Sequence, residues 1–432
     1  MHYLIKVYIF LSNYISIMNI IIFEDLKQHY PLTLLKPSFE IFHGMHNMLS
    51  FFTSTFLSSN KIKIFVISPR NEIMNELRSR LGTQKIWNES INSDSIVING
   101  RAIINEQLIK LLNKIITDPP STNKLFFSDD NSLVIGYLIN DVSTFLNNIM
   151  RNMITTSEII KVSGLRTFEN IWDYITLNKA LIQEHAALLK NKLHDTEYKN
   201  VYAIGSVEVE HSVVFNTKNG PIIIGDKCYI QGPSRIEGPT FIGDNVMITA
   251  HAHIRGSSIG PNSTVGGEVA NSIISMNTNS RHQSYIGDSY IGEYVNVGAL
   301  TVFSNVKNTM GYINIDLYDQ KIRTNLTKLG AFIGDHVKIS VGTTIYGGKI
   351  IGTSTHVYSK ADKSIPSFTI WLGDKEKAFE LEIESAIESA KRFMRSKGKT
   401  MSLEYEQLMR NAFEKTKIER DKFGVIRGKV IF

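Results

Sequence analysis

His282, Tyr285, Asn296 and Asn305 fall within one 24-residue stretch, HQSYIGDSYIGEYVNVGALTVFSN. An imidazole, with an unperturbed pKa of about 6.5, is the side chain best suited to proton transfer near neutral pH. A phenol and two carboxamides beside it would supply neutral hydrogen-bond donors and acceptors. The competing reading is that His282, one of 12 histidines, simply lines a loop. What separates the two readings is the set of elements that would hold these side chains together.

Those elements announce themselves by a period of six. Ile224, Ile230, Ile236, Ile242, Ile248 and Ile254 recur without a slip, and the register returns at Ile291, Val297 and Phe303 and again from Ile333 to Val357. Four residues after most of these positions stands a small or β-branched side chain, among them Cys228, Ser234, Thr240 and Ala252. Glycine follows the aliphatic residue every third hexad, as at Gly225 and Gly243. A period of six is neither a helix nor a flat strand. It describes short strands meeting at corners, three to a turn, each sending one aliphatic side chain inward. Successive turns then stack at the inter-strand spacing of roughly 4.8 Å. The expectation is a left-handed parallel β-helix over 201–373. Cys228 takes a small structural position in it.

The register falters twice, between about Pro261 and Tyr285 and between Val306 and Gly330, where a polar segment carries Lys307, Lys321, Arg323 and Lys328. Both places are read as excursions, and excursions from a solenoid usually build binding surfaces. His282 closes the first and Asn305 opens the second.

Ahead of the coils the pattern is α/β. MNIIIF (18–23), KIKIFVIS (61–68), SIVING (95–100) and SLVIGYLI (132–139) read as strands. NEIMNELRSRL (71–81) and NEQLIKLLNKII (105–116) read as amphipathic helices. This alternation predicts a Rossmann-like domain with a largely parallel sheet over 18–195, closed by a helix in 172–193. After the coils, Asp374 to about Arg395 and 402–423 read as helices of a tail over 374–432 that caps the solenoid.

Composition narrows the rest. The 432 residues carry a formal net charge of +6, with 43% hydrophobic and 20% charged residues, a globular balance. No Lys/Arg block or basic-aromatic stripe marks a nucleic-acid groove. One cysteine excludes an intrachain disulfide and suits a reducing cytoplasm. Residues 1–17, apolar but carrying Lys6, Ser12 and Asn13, read as an ordinary extension with Met18 as an alternative start, the competing reading being a weak membrane or signal segment; no other stretch is long and apolar enough to span a bilayer.

On these motifs the chain resembles the bifunctional sugar-1-phosphate nucleotidyltransferase/acetyltransferases, in a divergent archaeal-type branch. The histidine, tyrosine and glycine-aspartate of the 282–305 stretch, with its asparagines, look like the family's acetyltransferase signature, and KLGAFIGDHV (328–337) is similar to archaeal members. The resemblance implies that His282 is the general base and acetyl-CoA the acyl donor. It implies that Tyr285, Asn296 and Asn305, with Arg255 and Lys328, hold an amino sugar 1-phosphate, while Ala299 and Asp335 lie along the coenzyme. Leu300 and Asp335 replace a glycine and a serine of the family pattern. In the front half, Pro31-Leu32-Thr33 and Lys36-Pro37 resemble the nucleotidyltransferase motifs, but the loop FEDLKQHY lacks glycine. Lys36, Arg101 and Asp173 fall at the family's nucleotide and metal positions, with Asp173 the candidate ligand for Mg2+. Arg101 stands where an aspartate would bind that ion, which speaks against ordinary two-metal phosphoryl transfer from a nucleoside triphosphate. The resemblance further implies a cytoplasmic homotrimer with no nucleic-acid or membrane partner. The alternative reading is a scaffold or regulatory protein that uses both folds.

Overall fold

The computed structural model describes residues 17–428, apart from 57–58, 60, 88–92, 141, 150–157, 318–319 and 374–376. The expected extension over 1–17 lies almost wholly outside the described residues. The chain forms two compact units. One comprises Met1–Gln28, Lys36–Ile41 and His46–Glu169; the other comprises His29–Leu35, Phe42–Met45 and Asn170–Phe432.

The first unit is built on a six-stranded sheet of β1 (Met18–Phe23), β2 (Ile62–Ile67), β3 (Ser95–Asn99), β4 (Lys124–Phe127), β5 (Leu133–Leu138) and β6 (Glu158–Lys161). Its spatial order is β2-β1-β3-β5-β4-β6. Every residue of β1, β3 and β5 is buried, as expected of strands covered on both sides. The sheet is largely parallel, as expected, with one exception: five of its six strands run the same way and β5 alone is reversed. β1 pairs in parallel with β2 and β3, whereas β5 runs antiparallel to both β3 and β4. The cause is the short Ser128–Ser132 connection, with Asn131 at a φ of 64°. A link that short can only reverse the chain, since a parallel return needs a crossover of about a dozen residues. The helices form where their apolar spacing places them: α1 (Met48–Thr55), α2 (Asn71–Leu81), α3 (Glu106–Thr117) and α4 (Val142–Ile149). In α3, Leu108, Leu112, Ile115 and Ile116 face the core, and the Asn105 side chain caps the start by accepting from the Leu108 amide at 2.9 Å.

The second unit is the left-handed β-helix. Its strands form three faces of seven, nine and ten strands, parallel throughout except for an antiparallel end strand on the nine-stranded face, His194–Asp195, and another on the ten-stranded face, Lys377–Glu380. The inward ladder from Ile224 to Val357 is continuous and buried. From the second coil on, each corner between the nine- and ten-stranded faces holds one residue at positive φ: Lys227, Asn245, Asn262, Asn277, Tyr294, His336 and Ser354. Asparagine recurs there because its short polar side chain tolerates the left-handed region.

The two irregular stretches turn out to differ. Between Pro261 and Tyr285 no segment leaves the coil. Strands at Thr264–Val265, Glu268–Ala270, Ile273–Ile274 and Asn279–Ser280 keep their parallel pairing. The expected excursion there is instead a tightened turn: Ile259 to Ile274 spans fifteen residues where Ile224 to Ile242 spans eighteen. The hexad fails because corners lose residues, and Ser280 occupies an inward place. Between Val306 and Gly330 the chain does leave, as a β-hairpin of Ile313–Leu317 and Gln320–Leu326.

The tail differs from expectation at its start. Thr369–Leu372 and Lys377–Glu380 form an antiparallel pair, and helix begins only at α6 (Ile383–Ser396), followed by α7 (Leu403–Lys415) and α8 (Lys417–Phe423). Trp371 closes the hydrophobic column with its indole N–H on the Lys360 carbonyl at 2.8 Å, and Phe423 packs against it. α6 and α7 lie on the ten-stranded face, where Lys397 donates to the Asn262 carbonyl and the Tyr405 hydroxyl meets His336 at 2.9 Å. A fifth helix, α5 (Asp173–Leu188), lies on the nine-stranded face, where Asn178 Oδ1 accepts from the Ser258 hydroxyl at 2.9 Å. The seven-stranded face carries Val214, Arg235 and Val302 into solvent.

Candidate active site

Tyr285 begins a strand of the seven-stranded face (Tyr285–Gly287), in register between Glu268 and Val302. Asn305 follows the next strand, Val302–Phe303. Gly287 lets the two meet: a Cβ there would stand 2.6 Å from the Tyr285 hydroxyl and 2.7 Å from Asn305 Nδ2. Beside them Asp288, only 8% exposed, accepts from Asn305 Nδ2 at 2.5 Å and from Asn271 Nδ2 at 3.3 Å. With its N–H bonds directed to Asp288 and the phenol, the Asn305 amide keeps its oxygen as an acceptor. Burial, then the Asp288 and Glu268 carboxylates, push the Tyr285 phenol upward, with Asn305 and Arg255 opposing. The phenol therefore stays a neutral donor. Arg255 reaches the same cluster through Glu268, at 2.6 Å.

His282 lies at the corner leading into Tyr285 and is exposed. The corner is held from both sides: the Thr249 hydroxyl donates to the Arg281 carbonyl at 2.9 Å, and the Leu300 amide donates to the Gln283 carbonyl at 2.7 Å. Two residues that sequence reasoning passed over make this fit. A Cβ at Gly266 would come within 2.3 Å of the Arg281 carbonyl oxygen, and one at Gly267, whose φ is +69°, within 2.4 Å of Ser284 backbone. The doubled glycine before a tightened turn was the available signal.

The corner of Ala299 and Leu300 stacks directly on the His282 corner. Ala299 is half-buried and its carbonyl accepts from the Gly342 amide at 2.8 Å. Leu300 adopts a φ of 61°, the conformation glycine favours, and is 68% exposed. Val302, on the strand that follows, and Val341, beside the Gly342 that donates to Ala299, are exposed apolar residues too. Lys328 is exposed at the root of the hairpin, bridging Val306, and the neighbouring Leu329 amide donates to the Asn305 carbonyl at 2.9 Å.

Two expected residues are not brought to this crevice. Asn296 lies on the ten-stranded face, where its Oδ1 accepts from Asn279 at 2.9 Å. Asp335 is 1% exposed, and its Oδ1 accepts from the Glu293 amide at 2.7 Å. That is a corner clasp of the kind Asp226 makes to the Ser206 amide.

In the first unit, Arg101 is 4% exposed. It donates through Nε and Nη2 to Asp25, at 2.6 Å for the shortest contact, and through Nη1 to the Phe168 carbonyl and Glu169. Glu169 also accepts from Lys27, Thr167 and Ser132. Although burial works the other way, the Lys27, Thr167 and Arg101 donors hold the Glu169 carboxyl far below the usual carboxylate range. Lys36 is half-buried, and its carbonyl accepts from Arg70 at 2.8 Å. Asp173 stands in the first turn of α5, in the other unit, where it accepts from the Asn170 amide at 2.7 Å. Among the described residues no three His, Cys, Asp or Glu side chains are grouped to hold a cation. Magnesium does not fit this arrangement, because the carboxylates around Arg101 already satisfy a fixed guanidinium.

Residues 20–193 match the sugar nucleotidyl transferase family. The bifunctional sugar-1-phosphate nucleotidylyltransferase/acetyltransferase of Sulfurisphaera tokodaii is 37% identical over 94 residues, 22% of this chain and 23% of its own. The bifunctional protein GlmU of Thermotoga petrophila is 26% identical over 262 residues, 55% of this chain and 54% of its own. The chain thus spans about half or less of the length of these relatives. Among solved structures, a Francisella novicida UDP-N-acetylglucosamine acyltransferase is 15% identical with a TM-score of 0.30, covering 54% of this chain and 94% of that one. By the family match over 20–193, the two bifunctional relatives and its motifs, the chain is similar to the bifunctional sugar-1-phosphate nucleotidyltransferase/acetyltransferase family.

Proposed function

We propose that the chain is a transferase of nucleotide-sugar biosynthesis whose β-helix domain, 201–373, moves an acetyl group from acetyl-CoA to an amino sugar 1-phosphate. The observation that carries this reading is the meeting of Tyr285 and Asn305 over Gly287, next to the corner that exposes His282. The His282 imidazole takes the proton from the sugar amine as nitrogen attacks the thioester carbonyl. The C–N bond forms, the C–S bond breaks, and the proton passes on to the departing thiolate. The Tyr285 hydroxyl donates and Asn305 Oδ1 accepts, fixing the amino sugar, while Arg255 and Lys328 supply positive charge for its phosphate. The backbone at Ala299 faces the developing oxyanion, which needs a rigid donor. The exposed side chains of Leu300, Val302 and Val341 suit the apolar parts of a pantetheine arm. A thioester is activated already, so the step requires no Lewis acid.

The nucleotidyltransferase-like domain, 18–195, is altered or inactive in this reading, and the tail from 374 caps the coils. Homotrimeric assembly in the cytoplasm is part of the proposal; among the described residues no helix is long and apolar enough to cross a membrane. Asn296, on another face, would serve a crevice shared between copies.

The test is thiol release from acetyl-CoA in the presence of glucosamine 1-phosphate and related amino sugar phosphates. Release is expected from the wild-type protein and a fall of at least roughly a hundredfold in His282→Ala, the low end of general-base contributions. No release across the panel would favour the scaffold reading.

A further inference from the structure

In an α/β sheet, ligands bind outside the carboxyl ends of the strands. At this edge β1 runs into Glu24 and Asp25, β2 into Ser68 and Arg70, and β3 into Arg101. Each of the two consecutive carboxylates is clamped by one of the two arginines. Glu24 is fully buried; its Oε1 accepts from Arg70 Nη2 at 2.6 Å and the Ser38 amide at 3.0 Å. Its Oε2 accepts from Arg70 Nε at 3.0 Å and the Ser68 hydroxyl at 2.6 Å. Asp25 accepts from Arg101 Nε and Nη2, from Asn99 Nδ2 at 3.0 Å and from the Lys27 amide at 3.1 Å. Glu169 accepts from Arg101, Ser132, Thr167 and Lys27.

A carboxylate offers about four lone-pair directions, and here each of the three has four donors. Charge is balanced as well: Arg70, Arg101 and Lys27 face Glu24, Asp25 and Glu169. A hard divalent cation needs carboxylate oxygens to itself in near-octahedral array, and it would have to displace a bidentate guanidinium while lying beside it.

We infer that Arg70 and Arg101 stand in for a divalent cation at the carboxyl edge of β1, β2 and β3, so that this unit holds its carboxylates together without metal. The inference deepens the reading of an altered N-terminal domain and is independent of acetyl transfer in the coils. Two guanidinium groups cannot be dehydrated and exchanged with substrate as magnesium ions are, so metal-assisted nucleotidyl transfer does not occur at this edge.

Mn2+ titration of the full chain, followed by loss of the free-ion electron paramagnetic resonance signal and by melting temperature, tests this. The wild type should show no one-to-one site, with or without a nucleoside triphosphate. Arg101→Asp puts a third oxygen ligand beside Asp25 and Glu169. It should bind Mn2+ roughly tenfold or more tightly than the wild type, with a melting temperature that rises with the ion. A stoichiometric wild-type site that Mg2+ displaces and Asp25→Asn removes would overturn the inference. So would a folded Arg101→Asp protein that gains no Mn2+. If that variant does not fold, the wild-type titration alone decides. Thiol release by the same preparations reports separately on the coils.

Discussion

Lys338 sits on the ten-stranded face beneath α6. Its ammonium donates to the Tyr294 carbonyl at 2.7 Å and lies 3.8 Å from the centre of the Phe393 ring. Burial pulls its pKa down from 10.5 to about 7. At about 1.36 kcal/mol per pKa unit, a shift of that size is worth at most ~5 kcal/mol. The ring face and the carbonyl favour the charged form and return about 1–2 kcal/mol, leaving ~3 kcal/mol. The folded pKa lies below the unfolded one, so the associated stability is present above about pH 10.4. It is lost as pH falls toward 7, below which the penalty is constant. His356, in register with Lys338, is itself held down to about 4 by burial and by Lys338, so it stays neutral across this window. Lys338→Met keeps the length of the side chain and can still lie against Phe393, though it leaves the Tyr294 carbonyl without this donor, at about 1 kcal/mol. The variant should therefore gain ~2 kcal/mol near pH 7, which at about 2–4 °C per kcal/mol is several degrees in melting temperature. The gain should vanish by pH 10. Calorimetric melting of both proteins from pH 6.5 to 10 measures it. A difference that does not change with pH, or a variant less stable at pH 7, would refute the argument.

Other outcomes follow from the same geometry. Gly287→Ala should part Tyr285 from Asn305 and lower acetyl transfer by roughly a hundredfold, with the circular dichroism spectrum of the coils retained. Gly267→Ala should cost about 1–3 kcal/mol in a thermal melt, because the residue is left-handed and its Cβ would strike Ser284 backbone; an unchanged melt would contradict the tight corner. Leu300→Gly relieves a left-handed leucine and should raise the melting temperature slightly, while loss of its exposed apolar side chain should raise the KM for acetyl-CoA with kcat held. Cys228, buried and pushed up to about 11 chiefly by desolvation, should resist a disulfide reagent at pH 8 until the protein is denatured. Thiol release can then be read without interference from the protein.

The repeat was legible because one inward aliphatic residue per face is a demand of the coil itself. Every occurrence from Ile224 to Ile254 is buried in register. The strands of the first unit were legible as apolar runs, since both sides are covered. Direction was not: the reversal at β5 rests on the length of a five-residue connection, which leaves no mark on periodicity. Nor could spacing distinguish the two faltering stretches. Shortened corners and a true hairpin both erase the hexad, and only pairing tells them apart. The strand Lys377–Glu380 reads as helix in sequence because Phe379 stands four residues before Ile383, in phase with α6 by coincidence.

Sequence alone determined the coil, its inward ladder and the small residue at Cys228, since these follow from a local rule repeated along the chain. Tertiary structure decided which of the chemically able residues share a place. Tyr285 and Asn305 lie twenty residues apart in sequence, yet Gly287 brings them together because one turn of the coil separates them. Asn296, nine residues nearer Tyr285, faces another way because two corners intervene. At the other end, the clamp on Glu24 and Asp25 draws on three strands and on Glu169, whose convergence no spacing encodes. Local periodicity sets the direction of a side chain; only the closing of the chain on itself sets its neighbours.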